Sequence, residues 1–160
     1  MKELLILGIG NIVLRDEGVG ICVINNIINR NILPEGVDIM DGATGGYFLL
    51  NDIVDYKKVI IVDASLENTP AGTVKVSHPK YSYDYPPMLS AHEFGLKNMI
   101  DAMIFIEKIP DIYLITISVS EFQEMGFDLS EDVKKAIPIA TEKVLHLSKK
   151  ILNKERVEIF

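Results

Sequence analysis

The stretch Lys58-Val59-Ile60-Ile61-Val62-Asp63 decides the fold class of this chain. Its four successive β-branched apolar residues, with no polar residue between them, predict a strand that is buried on both faces. Two earlier runs are also predicted to be strands: Leu4-Leu5-Ile6-Leu7, which is apolar throughout, and Val37-Asp38-Ile39-Met40, which is apolar except for Asp38. Strands without alternation are typical of a parallel sheet that is covered by helices on both sides.

The segments around these strands complete the predicted architecture. Apolar residues recur at helical spacing over residues 18–30, and a shorter helix is expected over residues 47–55. Residues 72–77 alternate apolar and polar side chains, as a half-buried edge strand does. We therefore predict an α/β fold: a single-domain three-layer α/β/α sandwich over residues 1–160, with a mostly parallel twisted sheet and one antiparallel edge strand.

The second half of the chain gives weaker local signals. Residues 78–89 contain three prolines and three tyrosines and are predicted to be an irregular loop, whose tyrosines form a contact surface or cover the core. Ser90 and Glu93 form a capping-box pattern, which predicts a helix that continues to residue 108. A strand is expected over residues 112–119. A last helix is expected over residues 128–152, kinked or split at Pro138.

Composition narrows the classes of function. The formal net charge is −7 and the isoelectric point is near 4.9, which disfavours binding to nucleic acid or to anionic membranes. No apolar run approaches the roughly 20 residues that cross a bilayer. The single cysteine, Cys22, cannot form an internal disulfide and lies in a predicted apolar helix, so it is expected to be a small buried residue in a cytoplasmic protein.

Acidic residues follow the predicted strands. Asp41 and Asp63 come at the carboxyl ends of two strands, and Asp16 and Glu17 follow the loop that leaves the first strand. In an open α/β sheet these positions share the edge at which ligands bind. Clustered carboxylates repel one another unless a cation or a proton is present, which favours a functional interpretation. The structural alternative is that each carboxylate only caps a turn or a helix.

His92 lies near the predicted start of the third major helix, so it is a candidate for the same edge. One imidazole and two or three carboxylates form a mixed nitrogen and oxygen ligand set that suits nickel or zinc. Three protein ligands would leave positions open for water or substrate. The alternative is a surface or capping histidine.

Two glycine-containing loops border this edge. Gly8-Ile9-Gly10-Asn11 follows the first strand, but Val13 stands where a dinucleotide loop needs its third glycine, and there is no Walker motif. A nucleotide-binding α/β domain is therefore disfavoured. Glycines at positions 42, 45 and 46 surround Thr44 and predict a flexible, open rim that could receive a peptide.

In order and spacing, these motifs together resemble the hydrogenase maturation endopeptidases, which process the large subunit of nickel-iron hydrogenases. The resemblance covers nearly the whole chain. It departs from the family at Ala43, where a second glycine is usual, and in the loop 81–87. The matching segments are Gly8-Ile9-Gly10-Asn11, Asp16-Glu17-Gly18-Val19-Gly20, Asp41-Gly42-Ala43-Thr44-Gly45, Ile60-Ile61-Val62-Asp63-Ala64, Pro70-Ala71-Gly72-Thr73, Ser90-Ala91-His92-Glu93-Phe94-Gly95-Leu96 and Leu129-Ser130.

The resemblance implies a site and a reaction. The metal-contacting trio of the family corresponds to Glu17, Asp63 and His92, and these are the expected catalytic residues. Asp41 matches an acid linked to substrate recognition, for which Thr44 on the same rim is a second candidate. The implied reaction is the removal of a C-terminal extension from the nickel-loaded large-subunit precursor.

Several points stay open at the level of sequence. The implied nickel is carried by the substrate, and zinc or cadmium could take its place in a crystal. Either the metal positions and polarises the scissile bond, or Asp63 or Glu17 activates water as a general base, as in an aspartyl protease. The alternative function is a non-catalytic module that senses nickel in the precursor. The accessible edge favours a monomer.

Overall fold

A five-stranded sheet forms the centre of the molecule in a computed structural model that describes residues 1–88, 95–120 and 124–159. Its order is β2-β1-β3-β5-β4, with β4 antiparallel to β5 and the other neighbours parallel. The predicted mostly parallel sheet with one antiparallel edge strand is thereby confirmed. The strands are β1 (Lys2–Gly8), β2 (Val37–Asp41), β3 (Tyr56–Ser65), β4 (Val74–Ser77) and β5 (Asp111–Ser118), and the helices are α1 (Val19–Asn29), α2 (Leu50–Ile53), α3 (Leu96–Phe105) and α4 (Glu131–Leu152).

Helices cover both faces of the sheet, as the three-layer prediction requires. Alternate residues of each central strand point to opposite faces, so Ile60 packs with α1 and α4, whereas Ile61 packs with α2 and α3. Both isoleucines are fully buried. Among the described helices, none combines the length and the apolar character that crossing a membrane requires.

The strands and helices differ from the sequence predictions at their ends. β3 continues to Ser65, so Asp63 lies inside the strand and not just beyond it. α3 begins at Leu96, with Gly95 in the capping position, and ends at Phe105, earlier than expected. The predicted cap at Ser90 and Glu93 lies outside the described residues.

Pro138 lies inside α4, which is one continuous helix of 22 residues, so the expectation of a split was wrong. A proline in a helix removes one N–H donor and frees the carbonyl group four residues earlier, here that of Lys134. Both residues are exposed, so water can bind this carbonyl.

The proline-rich loop has more structure than its sequence suggested. A 3₁₀ helix spans Ser82–Asp84, and the Asp84 carboxylate accepts hydrogen bonds from the backbone of Lys80 and Tyr81, both at 3.0 Å. Tyr85 is buried under the loop, whereas Tyr81 and Tyr83 are exposed and stack with their ring centroids 5.2 Å apart. Of the three tyrosines, Tyr85 therefore covers the core, and a contact surface at Tyr81 and Tyr83 stays a prediction.

Candidate active site

Asp63 occupies the central strand and has no exposed surface. It pairs with Thr116 in the ladder between β3 and β5, and its Oδ1 accepts a hydrogen bond from the backbone N–H of Ala64 at 2.8 Å. Strand alternation puts Asp63 on the same sheet face as Ile61, the face that α3 covers. A fully buried carboxylate is costly to keep ionised, so this position favours chemistry over packing.

Glu17 lies in a 3₁₀ helix, Arg15–Gly18, between β1 and α1, and only 4% of its surface is exposed. This short helix packs against β3, the strand that carries Asp63. Both backbone polar groups of Glu17 form hydrogen bonds. The Glu17 N–H donates to the Leu14 carbonyl oxygen at 3.1 Å, and the Glu17 carbonyl oxygen accepts from the Asn11 N–H at 3.3 Å. The fold thus brings the elements of two predicted site acids into contact.

The glycine-containing loop after β1 permits this close approach. A Cβ atom on Gly10 would overlap the Glu17 carbonyl oxygen. A Cβ on Gly18 would lie 2.8 Å from the Ile12 Cα, which is closer than real side chains allow. These glycines shape the loop around Glu17.

Asp16, beside Glu17 in sequence, has a structural partner. Its Oδ1 accepts a hydrogen bond from Ser130 N–H and its Oδ2 accepts one from Ser130 Oγ–H, both at 2.7 Å. Ser130 is the N-cap of α4. Asp16 therefore fixes the start of α4 to the turn that carries Glu17, a role that sequence reasoning missed. The available signals were the position of Asp16 next to Glu17 and the helix start predicted near residue 128.

Asp41 lies on the same sheet edge but apart from Asp63. The register pairs Gly8 with Asp41 on one side and with Val62 on the other, so β1 separates the two acids. Two strand spacings correspond to about 10 Å between their backbones. Asp41 is exposed, and by strand alternation it belongs to the opposite sheet face from Asp63.

The rim around Thr44 is exposed, as predicted, and it is also held by hydrogen bonds. Ala43 N–H donates to Asp41 Oδ1 at 2.8 Å, and the Ala43 carbonyl oxygen accepts from Gly10 N–H at 2.9 Å. Ala43 has a φ of 44°, a left-handed conformation that is strained for a residue with a side chain. The rim therefore presents Asp41 and Thr44 from a defined loop.

His92 lies outside the described residues, but the chain on either side of it is placed. Met88 forms an isolated antiparallel bridge with Ser65, and the Pro87 carbonyl oxygen accepts a hydrogen bond from Leu66 N–H at 2.7 Å. Ser65 is two residues beyond Asp63.

Within the three described ranges, no three histidine, cysteine, aspartate or glutamate side chains are close enough to hold a metal ion. Because His92 is outside those ranges, the predicted trio of Glu17, Asp63 and His92 remains a prediction. Cys22 is half-buried, not fully buried as expected. Burial raises the pKa of the Cys22 thiol, so it stays protonated at neutral pH and is a poor nucleophile.

The fold and this edge define a class of protein: an open α/β sheet with buried carboxylates at the carboxyl ends of its parallel strands. Such an arrangement can bind a cation or activate a water molecule. A family model for hydrogenase maturation proteases, HycI, matches residues 21–147. The chain belongs to the hydrogenase maturation protease family, a family of peptidases, as the sequence motifs predicted.

Individual relatives agree with this assignment. The hydrogenase 2 maturation protease of Escherichia coli K12 is 32% identical over 89% of this chain and 88% of its own length. The hydrogenase expression/formation protein HupD of Rhizobium leguminosarum is 30% identical, over 88% of this chain and 71% of its own. The solved structure of the hydrogenase maturating endopeptidase HybD from Escherichia coli superposes with a TM-score of 0.83 at 31% identity, covering 94% of this chain and 93% of that one.

Proposed function

We propose that this protein is the endopeptidase that removes a C-terminal extension from the nickel-loaded large-subunit precursor of a nickel-iron hydrogenase. Membership of the maturation protease family supports the hydrolysis of a hydrogenase precursor. The observation that carries the choice of site is the burial of two carboxylates, Glu17 and Asp63, on elements that pack together at the ligand edge.

In this proposal Glu17, Asp63 and His92 bind nickel that the precursor brings with it. Two carboxylate groups and one imidazole form a ligand set that nickel accepts. The low exposure of both acids excludes competing water, which strengthens their attraction for a cation. Binding the metal of the substrate would select precursors that have already received it.

The proposed chemistry is hydrolysis of one peptide bond. A water oxygen adds to the carbonyl carbon, the C–N bond breaks, and the leaving amine takes up a proton. Either the nickel positions and polarises the scissile carbonyl group, or Asp63 or Glu17 accepts the proton of the water as a general base. Asp41 and Thr44, on the exposed rim, would contact the precursor beside the cut.

The setting of the reaction is also part of the proposal. We place the protein in the cytoplasm and expect it to act as a monomer of 17.9 kDa, because the edge that carries Glu17 and Asp63 must admit a large precursor. Sedimentation of the purified protein at micromolar concentration would reveal a dimer if this expectation were wrong.

The deciding experiment incubates the protein with large-subunit precursor that carries nickel and with the same precursor without it, and measures the precursor mass. We expect shortening only of the nickel-loaded form. Stable, nickel-dependent association without any loss of mass would overturn the proposal and favour a nickel-sensing binding module.

Asp63→Asn tests the catalytic residue. The amide keeps an oxygen that can accept the Ala64 hydrogen bond and removes a buried charge, so we expect processing to be abolished while the melting temperature is unchanged or higher. Asp101→Asn, an exposed acid on α3, is the matched control and should process normally. An unfolded Asp63→Asn protein would instead make Asp63 structural.

His92→Ala tests the third predicted ligand. We expect weaker association with the nickel-loaded precursor, measured by titration calorimetry. His146→Ala, an exposed histidine on α4, is the control and should bind as the unmodified protein does. Equal affinity in both variants would exclude His92 as a ligand.

A further inference from the structure

Four large apolar side chains are exposed around the edge that carries Glu17. Ile12 and Val13 belong to the loop after β1, and Met125 and Phe127 belong to the loop after β5. Their exposed fractions are 50%, 38%, 84% and 75%. We call these four residues the apolar rim. Apolar side chains that are exposed singly are common, but a contiguous set beside a site is typical of an interaction surface.

Hydrogen bonds between the two loops hold the apolar rim together. Gly126 N–H donates to the Val13 carbonyl oxygen at 2.8 Å, and the Gly126 carbonyl oxygen accepts from Arg15 N–H at 2.9 Å. Leu14 and Gly126 thereby form a parallel bridge. Because Met125 and Phe127 flank Gly126 while Val13 and Ile12 precede Leu14, the bridge brings the backbone positions of these four residues close together.

The apolar rim is physically continuous with Glu17. Hydrogen bonds tie the Glu17 backbone to Leu14 and Asn11, which flank Ile12 and Val13 in the chain. On the other side, Arg15 Nε donates to the Asp128 carbonyl oxygen at 3.0 Å, next to Phe127. A polypeptide that contacts the apolar rim would therefore lie directly beside the turn that carries Glu17.

Charge restricts the chemistry of the partner. The apolar rim is flanked in sequence by two exposed acids, Glu124 and Asp128, and the whole chain has a formal net charge of −7. Arg15, on the same loops, is only partly exposed. This environment favours a segment that combines apolar side chains with a lysine or an arginine.

We propose that the apolar rim docks an extended stretch of the precursor next to the scissile bond, a stretch with apolar side chains and at least one cationic residue. This inference rests on the proposed endopeptidase function and adds the surface that selects the substrate sequence. Apolar contact outside the reacting bond should contribute to substrate binding and little to the chemical step. Docking here would hold the peptide beside Glu17.

The test is the double variant Met125→Ser/Phe127→Ser, assayed on nickel-loaded precursor. The variant loses two apolar contacts that docking would bury. This loss should raise KM about tenfold or more, with kcat within about twofold of the unmodified enzyme. The matched control is Phe105→Ser. Phe105 is 87% exposed and ends α3, just before β5 begins, so it lies away from the edge at which the parallel strands end. It should leave both constants unchanged.

A binding readout without activity uses the absence of tryptophan from this chain. Phe127→Trp places a single tryptophan on the apolar rim, and precursor binding should shift its emission to shorter wavelength. Phe105→Trp should show no shift. The precursor used would have its own tryptophans replaced by phenylalanine, so that the signal reports the enzyme alone.

The outcomes separate the two proposals. If the unmodified enzyme does not shorten the precursor, the proposed function fails. If it does, but the double variant keeps its KM and Phe127→Trp shows no shift, the docking inference is overturned while the function stands. If the emission of the Phe127→Trp variant shifts with enzyme concentration alone, the apolar rim is a contact between two copies of this chain, which would also overturn the inference.

Discussion

Asp16 and Glu17 show how two adjacent acids acquire different roles. Both have only 4% of their surface exposed, yet the two oxygens of Asp16 accept hydrogen bonds from Ser130, while Glu17 lies on the turn that packs against β3. A sequence pattern could place both at the ligand edge. Only the partner of Asp16, 114 positions away, identifies it as a structural residue.

Asp16→Ala should destabilise the fold by about 1–3 kcal/mol, because it removes charge-assisted hydrogen bonds to the cap of α4. Urea unfolding measures the free energy. In a double-mutant cycle, Ser130→Ala should cost much less in the Asp16→Ala background than alone, since its side-chain bond is already lost. Additive losses would show that the pair does not act as one unit.

Asp111 gives a residue-scale prediction for acidic pH. His78 Nε2 lies 2.5 Å from Asp111 Oδ1, and the His78 ring stacks on Tyr113. Burial raises the pKa of Asp111, but the hydrogen bond and charge of His78 outweigh it, so this pKa is lower than usual. A lowered carboxyl pKa adds stability above about pH 4, which is lost as pH falls through the folded-state value.

Asp111→Asn should therefore lower the free energy of unfolding at about pH 6 by less than about 1 kcal/mol, because the pair is partly exposed, and the melting temperature should fall slightly. The difference should shrink as the pH falls from about 4 through the lowered pKa of Asp111 in the folded state. Scanning calorimetry across this range tests it, with Asp101→Asn as the control. A gap that is constant with pH would contradict the ionic origin.

At the scale of elements, the first turn of α1 decides how closely this helix approaches the sheet. Gly20, in this turn, faces the carbonyl oxygens of Ile9 and Val62, and a Cβ there would overlap both. The Val62 carbonyl oxygen also accepts a hydrogen bond from Ile9 N–H at 2.9 Å. The small residue lets α1 approach β3, so the turn carrying Glu17 reaches the strand of Asp63.

Gly20→Ala should cost several kcal/mol, about 3 or more, because backbone atoms and not a flexible side chain must move. Gly36→Ala is the control: Gly36 has a φ of 78° with open space around it, so alanine there should cost about 1 kcal/mol from backbone strain alone. Chemical denaturation compares the two. Equal losses would mean that α1 can shift freely.

At the scale of the molecule, the two core layers share their strands. Ile60 belongs to the layer under α1 and α4, and its neighbour Ile61 belongs to the layer under α2 and α3. If a shared strand leaves one core layer, the apolar side chains of the other layer become exposed as well. The molecule should therefore unfold as one cooperative unit.

Ile60→Val and Ile61→Val should each lower the free energy of unfolding by about 0.5–1.5 kcal/mol. Each variant should keep a single transition, with coincident fluorescence and circular dichroism curves. A second transition in either variant would show that the two layers unfold independently and that residues 1–160 are not one domain.

By itself, the sequence determined the order of strands and helices, the mostly parallel sheet and the acids at its carboxyl edge. Hydrophobic periodicity and turn residues are local signals, so they can be recognised without coordinates. These local signals fail where tertiary packing lengthens a strand or keeps a helix continuous. β3 continues through Asp63 to Ser65, and α4 remains one helix across Pro138.

Only the tertiary structure decided which side chains meet. The hydrogen bonds from Ser130 to Asp16 and the bridge between Leu14 and Gly126 join residues that are far apart in the chain. The sheet face on which Asp63 lies depends on strand register. Local periodicity does not encode such pairings, because they arise when separate elements pack against one another and bring distant backbone groups within hydrogen-bonding distance.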